Sequence, residues 1–179
     1  GIRAAGGSGH SNRGGAGGTI FLKGLGDPWG SLIIDNKSRS TTESTLTDLP
    51  GVERNTIDSL TSISLVNDTA GFEPNLYEGY LLNPKRGQGA KSLADDLYFT
   101  ISANDENSVT ILSGNLESVA SPGDEYGSLF IFNRIHLLGK ARGYAPGDVL
   151  IRGAGGFVNL QENSSFEAQI LEISEGASN

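Results

Sequence analysis

Three acidic pairs, Asp95-Asp96, Asp105-Glu106 and Asp124-Glu125, are the side chains of this sequence best suited to chemistry. Two carboxyls roughly 5–10 Å apart across a cleft can protonate and displace a glycosidic bond. Such a pair would suit a polysaccharide lyase or hydrolase, with calcium and a basic residue assisting. A solvated charged loop accounts for the same residues. Asn104, Asp105, Glu106 and Asn107 crowd oxygen donors into one turn, and calcium takes roughly six to eight oxygens. They match neither the EF-hand loop nor the acidic nonapeptide of calcium-binding β-rolls, so calcium is a possible ligand and a polar hairpin turn the simpler account. The two histidines, His10 and His136, have no serine in a nucleophile-elbow motif to activate. The stretch Gly6 to Gly14 lacks the Lys-Ser/Thr and the helix that a phosphate loop requires. Trp29, after Asp27-Pro28, could stack on a sugar, as could Tyr77, Tyr80, Tyr126 and Tyr144. The expectation is a protein that is not an enzyme, with no catalytic residues and no cofactor.

Composition narrows the partners. The net charge is −8 with 13 Lys and Arg scattered along the chain, which argues against nucleic acid, because phosphate binding needs clustered cations. There is no cysteine, so disulfides and thiolate chemistry are excluded. No apolar run approaches the ~18–20 residues that cross a membrane as a helix, so no membrane insertion is expected. Leu, Ile, Val and Phe make up about a quarter of the chain, enough for a core. The chain opens on Gly1 and has no methionine, which suggests a processed chain or a piece of a longer one. Of its three Asn-x-Ser/Thr sites, at Asn36, Asn67 and Asn163, chance is explanation enough.

The elements that would carry these residues are strands. The one helical signal, 89–96, is too short for more than a turn. Residues 57–66 run near alternation. Leu97 to Ile101 and Val109 to Ile111 alternate around a turn at 103–108, which predicts a hairpin. Tyr126 to Leu138 is one long β-rich run. Phe166, Ala168 and Ile170 alternate with Glu167 and Gln169, and the phase slips at Leu171 and Ile173, as at a bulge or strand end. Glycine crowds residues 6–30 and returns over 139–156, punctuating Ile20-Phe21-Leu22, Leu32-Ile33-Ile34, Val149-Leu150-Ile151 and Phe157 to Leu160. Short strands at near-regular spacing with Gly corners predict stacked coils.

The run Gly14 to Lys23, GGAGGTIFLK, followed by Gly30 to Asn36, GSLIIDN, resembles the rungs of large repetitive bacterial surface and secreted proteins of the filamentous-adhesin kind. Thr61 to Phe72, Tyr77 to Pro84, Phe99 to Asn104, Ser108 to Ile111 and Gly123 to Tyr126 resemble a small five-stranded barrel module that recurs in them. The resemblance implies an extracellular or cell-surface setting and no catalytic residues. The expected fold is all-β: a short right-handed parallel β-helix, residues 1–54 and 132–179, interrupted by a small antiparallel β-barrel-like insert, 55–131. The expected function is a structural unit of a surface protein or fibre, self-associating as a homopolymer or tandem array through exposed strand edges. Those edges are Ile20, Phe21 and Leu22 at one end and Phe166, Ala168 and Ile170 at the other. The alternative is a glycan-binding adhesin module using Trp29.

Overall fold

The computed structural model describes residues 17–38, 46–86 and 97–174. The Gly-rich opening through Ala16, with His10, and the turn expected over 89–96, with Asp95-Asp96, lie outside the described residues. In chain order the strands begin with β1 (Gly18–Leu22), β2 (Ser31–Asp35), β3 (Thr47–Asp48), β4 (Asn55–Thr56), β5 (Ser59–Leu60) and β6 (Ser64–Val66). β7 (Leu81–Asn83), β8 (Phe99–Asn104), β9 (Ser108–Ile111) and β10 (Glu125–Phe132) follow. The last are β11 (Arg134–Leu138), β12 (Arg142–Tyr144), β13 (Asp148–Arg152), β14 (Phe157–Leu160), β15 (Ser165–Glu167) and β16 (Leu171–Ser174). The described chain is all-β, with a 3-10 turn at Leu116–Ser118 and several sheets, none closed into a barrel.

Contacts divide the chain into two compact units. The first is Gly1–Leu49, Ile131–Ala145 and Val149–Asn179; the second is Pro50–Phe130 with Pro146–Asp148. Set beside the sequence boundaries, residues 50–54 and 146–148 go with the second unit and Ile131 with the first.

Parallel pairing dominates the first unit. β2, β11 and β14 lie side by side and parallel, with β1 antiparallel on the outer side of β2. β3, β12 and β15 form a second parallel set, and β13 pairs parallel with β16. Three turns repeat one backbone shape. Lys37-Ser38, Gly139-Lys140 and Glu162-Asn163 follow β2, β11 and β14, all with φ between 51° and 62°. The turns stack: Asn36 N donates to Leu138 O (3.1 Å) and Gln161 N to Leu137 O (2.9 Å). Left-handed backbone is cheapest for glycine. Gly139 belongs to the middle turn, where a Cβ would also collide with the backbone of Lys37 and Ser38.

The long run expected from Tyr126 to Leu138 is two strands, broken at Asn133. Its amide accepts from Trp29 N (2.9 Å) and donates to Arg152 O (2.9 Å), and its own N–H donates to Gly30 O (2.7 Å). A residue bonded in three directions outside a ladder bends the chain there. The expected alternation from Phe166 to Ile170 also breaks. β15 ends at Glu167, Ala168–Ile170 form a corner, and β16 starts at Leu171, so the phase slip marks a change of sheet.

The second unit is antiparallel, in the order β10-β7-β8-β9-β6-β5, with β4 also on β10. The hairpin expected around 103–108 is present as β8 and β9, with an irregularity between Ile101 and Ala103. The run 57–66 is not one strand: Thr61 N donates to Ser64 O (2.8 Å) and Ser64 N to Thr61 Oγ1 (3.1 Å), folding it into the β5–β6 hairpin. The expected barrel is not closed. β4 reaches β10 and β5 reaches β6, but each is two residues long, so no continuous ladder joins the sheet's ends. The core gathers Val52, Ile57, Leu65, Leu82, Ile101, Val109, Ile111, Leu116 and Tyr126.

One buried ion pair lies in this unit. Arg86 Nε donates to Asp148 Oδ2 (2.7 Å) while a guanidinium NH₂ meets Oδ1, a two-pronged contact with both side chains almost fully buried. Removing one charge strands the other away from water, whereas replacing both with apolar groups costs much less. Asp148→Asn should therefore destabilise the protein by about 3–5 kcal/mol in urea unfolding, and Arg86→Met with Asp148→Leu should recover most of that loss. Equal loss in the double variant would contradict the account.

Candidate assembly edge

In-register parallel strands bring equivalent side chains into columns on the same face of a sheet. Leu32, Ile135 and Val158 form one column and Ile34, Leu137 and Leu160 the next. Val149 is matched by Leu171 and Ile151 by Ile173. Gly143 is matched by Phe166, whose ring occupies the space that a Gly143 side chain would take: a Cβ there would lie 2.7 Å from the ring and 2.9 Å from Ile34 Cδ1.

Burial along these columns ends abruptly. Ile34, Leu137, Val149 and Ile151 are each 0% exposed, while Leu160 is 49%, Leu171 43% and Ile173 55% exposed. The residues that continue the core into β14, β15 and β16 are thus apolar but half uncovered. Each of these strands is also the last of its sheet among the described residues. Strand edges of this kind carry backbone donors and acceptors that invite pairing. Completing the burial of one such side chain is worth about 1 kcal/mol.

At the other end β1 lies on β2 with Phe21 opposite Leu32 and Thr19 opposite Ile34, so both extend the same two columns outward. Phe21 packs edge-on to Phe132 (centroids 6.2 Å) yet is 53% exposed, and Leu22 is 41% exposed. Of the expected edge residues, Ile20 is half-buried on the opposite face of β1 from Phe21. Phe166 is half-buried in β15, while Ala168 and Ile170 stand on the corner, off the strand where the alternation placed them. Sequence reasoning missed Leu160, Leu171 and Ile173, although their apolar character in a Glu- and Asn-rich tail was the available signal.

The other candidates are committed elsewhere. Asp105 Oδ1 accepts from Asn107 N (2.9 Å) and Ser108 N (2.7 Å), and Oδ2 from Ser108 Oγ (2.8 Å). These bonds hold its carboxyl below the usual range, the Asn107 N–H first. Asn104 is buried, accepting from Tyr77 N and donating to Glu73 O, and the Glu106 and Asn107 carbonyls accept from Phe72 N and Asn67 N. The side-chain oxygens of Asn104 and Asp105 and the carbonyls of Glu106 and Asn107 thus accept from N–H and O–H donors, the pattern of a structural turn. Asp124 pairs with Lys85 (3.0 Å), which lowers its carboxyl, and Glu125 with Arg54. His136 meets Phe157 edge-on (5.1 Å), and burial, then Arg134, pushes its imidazole down. Tyr126 is fully buried, its phenol pushed up to about 12 by burial, so it offers no sugar platform. Trp29 is half-buried on a turn where Asp27 pairs with Arg134 (3.2 Å). Among the described residues no helix is long and apolar enough to cross a membrane, and no three His, Cys, Asp or Glu gather as metal ligands.

Two predictions follow from this geometry. A carboxyl lowered on folding stabilises the protein above its ordinary pKa, 3.8 for Asp105, and that stability is lost as the pH falls through the lowered value. Asp105→Asn should therefore flatten the acid limb of a Tm-versus-pH curve below 3.8, leaving the neutral-to-alkaline shape unchanged. Gly143→Val, which crowds Phe166 and Ile34, should cost about 1–3 kcal/mol in chemical unfolding; a neutral effect would mean the columns do not pack as described. No protein-family model, curated protein or solved structure matches this chain.

Proposed function

We propose that this chain is a structural unit of an extracellular surface protein or fibre, built as a short parallel β-helix with an antiparallel insert, and assembling through its open strand edges. The coil reading is supported by three parallel strand sets visited in a fixed order and by the three stacked left-handed turns. In that reading β14, β15 and β16 make up the last coil. The surface setting rests on the resemblance of residues 14–36 and of the insert to adhesin-type proteins.

The observation that carries the assembly reading is the exposure of Leu160, Leu171 and Ile173 in register with fully buried partners. A coil cannot bury its inner face alone and is stabilised by the next one. Sedimentation velocity over a concentration series, with negative-stain electron microscopy, tests it. Mass should rise with concentration and elongated particles appear. A monomer at every concentration would remove the reading.

A glycan-binding module is the second reading, favoured by the half-exposed Trp29 beside the Asp27–Arg134 pair. Trp29→Ala should abolish any signal on a glycan array, and binding that survives would exclude Trp29 from the site.

A further inference from the structure

We propose that the open edge of β14 is paired by β1 of a second copy of this chain, laid antiparallel so that copies join head to tail. This rests on the assembly reading above and names its partner and register. Two independent observations carry it.

The two ends of one sheet match. β1 and β14 are the terminal strands of the order β1-β2-β11-β14. β14 repeats β2 two strands further along, with Val158 in line with Leu32 and Leu160 in line with Ile34. Gln161 N turns back to Leu137 O, so by alternation the backbone groups of Val158 and Leu160 face the open edge of β14. The same register sets the partner's Phe21 against Val158 and its Thr19 against Leu160, and brings exposed Leu22 to exposed Phe157.

Charge selects the polarity. Among the described residues, 17–26 carry Lys23 with no Asp or Glu, and 157–174 carry Glu162, Glu167 and Glu172 with no Lys or Arg. In a chain of net charge −8 the β1 side is thus basic and the β14 side acidic. Head-to-tail contact joins opposite signs, while contact between two last coils sets acid against acid. A contact between unlike ends does not close on itself and propagates as a filament.

The test uses the full chain with one end disabled at a time: Phe21→Asp at β1 and Leu160→Asp at β14, both on exposed residues, with folding checked by circular dichroism and thermal melting. By sedimentation velocity each variant alone should assemble at least about tenfold more weakly than the parent. Mixed in equal amounts, they should form a one-to-one heterodimer and nothing larger, since each retains one intact end. Lys23→Glu, outside the strand, should weaken assembly severalfold at low salt and lose its effect at high salt. Phe21→Asp assembling as well as the parent would overturn the head-to-tail contact while leaving edge assembly standing, and so would failure of the folded mixture to form a heterodimer. A parent chain that stays monomeric would overturn both readings.

Discussion

The in-register stacking of inward side chains is the constraint on which the first unit depends. Because the pairing is parallel and unshifted, Leu32, Ile135 and Val158 must share a column, as must Ile34, Leu137 and Leu160. A slip of one residue would turn each column to the outer face and expose the aliphatic groups that hold the unit together. The turns enforce the register. Lys37-Ser38, Gly139-Lys140 and Glu162-Asn163 reverse the chain with the same left-handed pair, so successive passes start in phase. The arrangement is additive: each parallel strand covers the one before it, and among the described residues β14, β15 and β16 have no strand beyond them.

The second unit solves the same burial problem differently. Its strands are antiparallel and irregular, and its core closes around Tyr126 and Leu116 without needing a neighbour. Polar links fix what packing leaves loose. Arg86 grips Asp148 from a distant part of the chain, Arg54 holds Glu125, and Asn104 ties Tyr77 and Glu73 to the β8–β9 hairpin. Of the acidic residues attractive as chemistry, Asp105 serves a turn and Asp124 and Glu125 serve ion pairs.

Much of this was legible in the sequence wherever a local rule governed. The 103–108 turn and its flanking strands follow from alternation and turn residues, and the short apolar runs between glycines are strands. Legibility failed where a side chain acts at long range. Asn133 splits an unbroken β-rich run because of bonds to Trp29 and Arg152, which no window around Asn133 reveals. Thr61 to Ile63 break a near-alternating run by folding back; the slip at Leu171, by contrast, is the strand end it suggested, with β15 stopping at Glu167 and β16 starting at Leu171. The edge was located at Phe166, Ala168 and Ile170 from alternation alone. Only the register to β11 and β13 picks out Leu160, Leu171 and Ile173 as exposed residues in line with buried ones.

The pinned ends of the second unit have a consequence for folding order. Val52 and Ser128 are bonded through both backbone and side chain: Ser128 N donates to Val52 O (2.9 Å) and Val52 N to Ser128 Oγ (2.6 Å). Space is so tight there that a Cβ on Gly51 would lie 2.6 Å from the Phe130 ring, and one on Gly147 would collide with Ser128 O. Once this unit has folded, the chain leaves it close to where it entered. β2 and β11, far apart in sequence, then have a short tether in place of a long flexible one. By the logarithmic closure law that spares on the order of 1 kcal/mol of chain entropy. Non-local parallel pairing, intrinsically slow to nucleate, becomes nearly local.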